Sequence, residues 1–224
     1  MKKISLVRRL TAEALGTALL LATVVGSGIM GDRLAGGNAA IALLGNTLST
    51  ATVLIVLISI FGPISGAHFN PVVTGHFFLR KEIEAKTAVL YILTQFLAAV
   101  AGVYMAHVMF AVPLIEVSDK LRAGPPQWFA EFVATFGLIA TIAGSRHAPD
   151  RAPLLVGLYI AAAYWFTAST SFANPAVTVA RALTHSFAGI APSSVPGFVM
   201  AQIAGASSAS AIAPWLFKLG PVSG

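Results

Sequence analysis

Two short stretches of this chain nearly repeat one another: Asn70-Pro71-Val72-Val73-Thr74 and Asn174-Pro175-Ala176-Val177-Thr178, 104 residues apart. Each sits in a long apolar run, where an Asn-Pro step interrupts helix hydrogen bonding because proline has no N–H to give. Proline suits the first helical turn and asparagine is a strong N-cap. Each copy therefore predicts the start of a half-helix, over 70–80 and 174–185, whose positive end faces the membrane centre. Broken helices at matched positions of two halves point to a solute site near the bilayer midplane.

The rest of the chain fits a membrane. Charged residues make up 10% and apolar residues 57%, far from the balance of a soluble domain. Ignoring histidine, no charge falls within residues 38–79, 87–115, 132–145, 152–180 or 182–217. A spanning helix needs about 20 apolar residues. Spans are expected near 9–30, 39–61, 87–110, 128–146, 153–169 and 195–218, with loops at 31–38, 111–126 and 146–152. The net charge of +6 comes from basic residues scattered at span ends, which is a membrane pattern and not a nucleic-acid face. With no cysteine, disulfides, thiol catalysis and thiolate metal sites are excluded. Met1-Lys2-Lys3 through Arg8-Arg9 looks like a signal peptide's charged region. The run from Ala14 to Met30 has no convincing cleavage site, so it reads as an uncleaved first span.

With the N-terminus inside, ten basic residues lie on the inner side: Lys2, Lys3, Arg8, Arg9, Arg80, Lys81, Lys86, Arg146, Arg151 and Lys218. Four lie outside: Arg33, Lys120, Arg122 and Arg181. The bias places both termini in the cytoplasm. Beyond the Asn-Pro steps, Ala12-Glu13-Ala14-Leu15-Gly16-Thr17 matches Ala130-Glu131-Phe132-Val133-Ala134-Thr135. Thr94-Gln95-Phe96-Leu97-Ala98-Ala99 likewise matches Ala201-Gln202-Ile203-Ala204-Gly205-Ala206. Glu, Asn-Pro and Gln thus recur in order, with three spans per half. An odd number of spans inverts the second half against the first, so the half-helices enter from opposite faces. The prediction is one all-α transmembrane domain over 1–224, with inverted repeats at about 9–110 and 127–218.

The motifs Ser65-Gly66-Ala67-His68-Phe69-Asn70-Pro71-Val72 and Ser171-Phe172-Ala173-Asn174-Pro175-Ala176, with the twin glutamates in register, resemble the aquaporin and aquaglyceroporin family, the major intrinsic proteins. The resemblance covers residues 9–218. It implies six transmembrane helices, two re-entrant half-helices, one passive pore per subunit, a homotetramer in a bacterial inner (plasma) membrane, and neither catalysis nor a cofactor. Asn70 and Asn174 become oxygen-binding donors at the pore midpoint, flanked by Pro71, Val72, Pro175 and Ala176. Glu13 and Glu131, costly in a membrane helix at about 2.5–3.5 kcal/mol, are expected to accept N–H bonds from the loop before each half-helix. Gln95 and Gln202 are expected to hydrogen-bond between spans. Gly16, Gly26, Gly28, Gly66, Gly102 and Gly137 allow close helix crossings. His68 resembles a pore-lining histidine of the inner mouth; His107, His147 and His185 lack metal spacing and are expected at the interface.

The chain departs from the family at the outer selectivity filter. Most members follow the second Asn-Pro-Ala with arginine; here the residue is Val177. Ungapped alignment puts Thr50 where a large aromatic is usual and Ser171 at the loop position. The fourth position falls to Tyr164 or Ala162. Val72 replaces the usual alanine of the first motif and should thicken the contact between the half-helix tips. Arg181, one turn beyond Val177, can reach back to the outer mouth or, as the better expectation, meet water and lipid headgroups. A wide, weakly polar constriction favours neutral glycerol-sized solutes, with some water. Arsenous acid or methylated arsenicals are candidates, because members lacking the arginine are linked with arsenicals. The alternatives are an ordinary water or glycerol channel, a proton-coupled transporter using Glu13 or Glu131, and a non-conducting scaffold.

Overall fold

The computed structural model describes residues 4–220, and all regular structure among them is helical. Lys2 and Lys3, part of the inner-side charge count, lie outside the described residues. In chain order the helices are α1 (Leu6–Leu34), α2 (Ala39–Ser65), α3 (Pro71–Leu79), α4 (Ala85–Phe110), α5 (Pro125–Gly144), α6 (Ala152–Phe166), α7 (Pro175–Ala180) and α8 (Val195–Leu216). The fold is the six-span, two-half-helix inverted repeat. Five of the helices are long and apolar enough to cross a membrane. The exception is α6, with 15 residues, about 22 Å at 1.5 Å per residue. It stops three residues short of the expected 169, where Thr167 turns extended and its hydroxyl donates to the Ala163 carbonyl at 2.6 Å. The first two spans instead run past their expected ends of 30 and 61.

The halves are built alike. In the first, α1 packs on α2 and α4; in the second, α5 packs on α6 and α8. Contact between α2 and α6 joins them, and each half-helix touches both α4 and α8. Gly102 lets α4 close on α1, since a Cβ there would strike the Ala18 carbonyl; Gly205 does the same for α8 against the Phe132 carbonyl of α5. In lipid, where no hydrophobic drive brings helices together, such backbone approach provides the packing. The outer surface is apolar, as lipid contact requires: Leu97 is 75% and Trp215 80% exposed. The buried centre holds polar groups instead, including Glu13, Glu131, Gln95 and Gln202.

The half-helices differ in length. Residues Pro71–Leu79 are helical close to the expected bounds, but the second α-helix ends at Ala180 and continues as a 3-10 turn over Arg181–Leu183, not as helix to 185. Thr184 breaks the pattern with extended backbone, its hydroxyl paired with His107 Nε2 at 2.9 Å. His107 is therefore not interfacial. It is fully buried, because the segment after α4 folds back over it, bringing the Leu114 carbonyl within 3.1 Å of Nδ1 and the Ser118 N–H onto the Ala182 carbonyl at 3.0 Å. His185 is exposed beside Asp119, and His147 Nε2 meets the Phe217 carbonyl.

Candidate functional site

The half-helices meet tip to tip through their caps. Asn70 Oδ1 accepts the Val72 N–H at 3.0 Å, and Asn174 Oδ1 accepts those of Ala176 and Val177 at 3.0 and 3.3 Å. Each asparagine amide then reaches across the pseudo-twofold axis. Asn70 Nδ2 donates to the Ala173 carbonyl at 2.7 Å, and Asn174 Nδ2 donates to the Phe69 carbonyl at 2.8 Å. An amide nitrogen carries two hydrogens, so each retains one N–H, and both asparagines line the central cavity.

The segments before the caps are wound alike. Gly66, Ala67 and Phe69 have positive φ, and so do Thr170, Ser171 and Ala173 at the matching positions. Such conformations cost an L-residue about 1–2 kcal/mol each, so something must hold them, and the buried glutamates do. Glu13 accepts the N–H groups of His68 and Phe69 at 2.9 and 2.8 Å, the Ser65 hydroxyl at 2.7 Å and Gln95 Nε2 at 2.8 Å. Glu131 accepts the N–H groups of Phe172 and Ala173 at 2.8 and 2.9 Å and Gln202 Nε2 at 2.6 Å. Each glutamine also donates to the threonine one turn into its half-helix: Gln95 to Thr74 at 3.0 Å, Gln202 to Thr178 at 2.8 Å. Hydrogen bonds to a charged group are worth roughly 1.5–3 kcal/mol apiece. With N–H groups drawn outward to the glutamates, the loop backbone is pinned in a single course past the cavity.

The cavity between the halves holds about 400 Å³. One side is apolar and follows the repeat. Leu20 and Val24 of α1 are answered by Leu138 and Ile142 of α5, at the spacing that separates Glu13 from Glu131; Leu54 and Ile58 of α2 are answered by Val156 and Ile160 of α6. The rest of the lining comes largely from the two winding segments and the asparagines. Of the remaining motif residues, Pro71, Val72, Pro175 and Ala176 are buried in the tips and do not line the cavity, whereas Val73 and Val177 do. Val72 is 8% exposed, packed within the core that the two tips share.

At the α7 end the lining includes Thr50, Tyr164, Ser171 and Val177. Tyr164 is buried with its hydroxyl 3.4 Å from Thr50 Oγ1, while Ala162 faces away and is exposed, so the structure brings Tyr164 to the group. At the α3 end His68 lines the cavity, stacked on Phe77 with centroids 4.5 Å apart and Nδ1 3.1 Å from Thr74 Oγ1. Arg181 does not project to the surface toward lipid headgroups. It is 2% exposed and lines the cavity, its guanidinium carbon 3.4 Å from the centroid of the Phe172 ring and its Nε donating to the Ala188 carbonyl. Sequence reasoning also missed the paired apolar wall, although the spacing of the glutamates locates half of it. The loop near Arg181 at the α7 end is basic. Arg122 donates to the Gly189 and Ser169 carbonyls, and burial, with Arg122 and Arg181 nearby, pushes Lys120 down to about 8.

A channel built around two opposed half-helices is what these contacts define. The Major intrinsic protein (MIP) family profile matches residues 1–171. Aquaglyceroporin AqpS of Rhizobium meliloti (strain 1021) is 52% identical over 219 residues, covering 97% of this chain and 94% of that protein, and so takes in the second Asn-Pro as well. Aquaporin PIP2-3 of Zea mays is 31% identical over 182 residues, 70% of this chain and 63% of that protein. The X-ray structure of the aquaglyceroporin from Plasmodium falciparum superposes with a TM-score of 0.67, covering 93% of this chain and 95% of that one; at 19% identity the likeness is one of fold. The chain belongs to the major intrinsic protein family. It is a membrane channel, not an enzyme, and passes small solutes of the water and glycerol type passively.

Proposed function

We propose that the chain is a wide-filter channel for neutral, hydroxylated solutes of glycerol size, with water as a secondary permeant. One observation carries this reading: beside Arg181 and Phe172, the lining at the α7 end includes Thr50, Tyr164, Ser171 and Val177, three hydroxyls and a buried valine. With the apolar residues of α1, α2, α5 and α6 in the same lining, a solute carrying both hydroxyls and C–H groups meets partners for each, so less desolvation is left uncompensated. Val177 gives the ring no charge and little bulk, which favours solutes larger than water. Arsenous acid and methylated arsenicals fit the same description, being compact and hydroxylated.

At the midpoint, the remaining N–H of Asn70 and of Asn174 takes a solute oxygen as it passes. Half-helix N-termini add roughly half an elementary charge each, so cations meet a positive field without their hydration shell. Protons lose the donor chain they need, because the oxygen held there is oriented by two donors. A proton-coupled mechanism would require a glutamate free to titrate, and both are engaged by several donors. The charge bias puts both termini in the cytoplasm, and the family pattern makes the assembly a homotetramer in the bacterial inner membrane.

Proteoliposome swelling in glycerol, arsenous acid and water, with and without a proton gradient, tests the reading. Glycerol and arsenous acid flux independent of the gradient is expected. Water flux alone would reduce the protein to a water channel, and gradient-driven accumulation would make it a transporter. The chain lacks cysteine, so single-cysteine reporters at the termini report orientation against a blank background, and native mass spectrometry reports the subunit count.

A further inference from the structure

Two buried polar atoms at the α7 end of the cavity have no hydrogen-bond partner: Ser171 Oγ and Arg181 Nη1. Both residues are 2% exposed and both line the cavity. Arg181 is held at two points. Its Nε is tied to the Ala188 carbonyl and its plane lies on Phe172, itself a lining residue. None of the ion pairs among the described residues includes Arg181. Glu131 on the neighbouring α5 is taken up by its own donors, and the nearby basic groups Arg122 and Lys120 add to the positive charge. A guanidinium remains charged under all ordinary conditions, and an unpaired N–H on a buried charged group is more costly than the usual 1–3 kcal/mol of a neutral one. Tethering the 186–191 segment explains Nε and the ring stack. It explains neither Nη1 nor Ser171.

We propose that Arg181, one helical turn beyond Val177, and Ser171 of the Val177 ring form an oxygen-binding site in the channel wall, which takes a neutral hydroxylated solute by two of its oxygens and turns cations away. The guanidinium donates to one oxygen, while the serine hydroxyl accepts from or donates to a second. The fixed charge of the outer mouth is thus displaced along α7, and the ring at Val177 keeps its width. This site rests on the channel reading above and deepens it by naming the residues that select.

The experiment compares the full-length chain with Arg181→Leu, Arg181→Lys and Ser171→Ala in proteoliposomes, measuring water and glycerol permeability by stopped-flow light scattering and potassium leak by ion flux. Arg181→Leu is expected to lower the glycerol-to-water permeability ratio about tenfold, equivalent to about 1.4 kcal/mol, and to raise potassium leak about tenfold. Arg181→Lys keeps potassium out and recovers part of the ratio, because it retains the charge but not the planar fork. Ser171→Ala lowers the ratio about threefold without a potassium leak. If Arg181→Leu fails to insert, the other two variants decide: an unchanged ratio in both overturns the site, and a lowered ratio in either supports it. A wild type that conducts while every inserted variant keeps its ratio and its ion exclusion overturns the site alone. A wild type that passes neither water nor glycerol overturns the channel reading and the site with it.

Discussion

The two winding segments, Gly66–Asn70 and Thr170–Asn174, are the same device carried out with different neighbours. Both place left-handed residues at matching positions, give two N–H groups to a buried glutamate and end on an asparagine that reaches across the axis. Around that common core they diverge. The first is crowded by His68 stacked on Phe77 and leads into a half-helix of 9 residues; the second leads into 6 residues and ends with Arg181 turned back on Phe172. What is shared is mechanical, since strained backbone needs the same restraint at each end. What differs faces the cavity, and it gives each mouth its own chemistry.

The largest expected effect tests the shared restraint. Glu13→Gln and Glu131→Gln each replace a carboxylate by an amide whose own N–H groups confront the loop donors, so a loss of about 3–5 kcal/mol is expected. Glu13 accepts from Ser65 as well as from two backbone N–H groups and a glutamine, whereas no serine among the described residues donates to Glu131. Glu13→Gln should therefore be the more damaging, read as folded, monodisperse yield in detergent. Equal yields near wild type would show that the strained segments stand without the glutamates.

Next comes the midpoint. Asn70→Asp or Asn174→Asp removes the donor that crosses the axis and puts a carboxylate at a half-helix N-terminus, so cations should enter. A rise in liposome conductance of about tenfold or more, a barrier change of about 1.4 kcal/mol, is expected in both. Unchanged ion exclusion in correctly inserted protein would remove the asparagines from the conducting path.

Val177→Arg sharpens the comparison at the α7 end by adding a bulky fork of donors where the ring now carries a valine. Glycerol and arsenous acid uptake should fall at least about tenfold, while water, small and a good acceptor, keeps most of its flux. Proportional losses for all three would mean that Thr50 and Tyr164 already set the width.

The smallest effect separates the two threonines. Thr74→Val and Thr178→Val each remove the acceptor of a buried glutamine and should cost about 1 kcal/mol, seen as a lower Tm. Only Thr74 also holds His68, at 3.1 Å, so only that variant should change solute flux through the mouth at the α3 end.

Much of this molecule is determined by sequence alone, because its constraints are local and repeated. Proline after asparagine fixes where a half-helix starts, the long uncharged runs fix which segments meet lipid, and the twin glutamates and glutamines fix the repeat. Those features need no knowledge of neighbours: an unpaired backbone group or a charge in hydrocarbon is costly wherever it lies. Tertiary structure decided what depends on a partner distant in the chain. Tyr164 rather than Ala162 faces the cavity only because α6 packs on α2 at that rotation, with the Thr50 hydroxyl opposite. His107 is buried only because the loop after α4 folds back beneath Thr184. Arg181 lines the channel only because Phe172 and the Ala188 carbonyl receive it. A long basic side chain on a short helix reads locally as a surface residue, since nothing in its own turn can desolvate it. Its burial follows from a ring and a carbonyl that the fold brings to it from elsewhere in the chain.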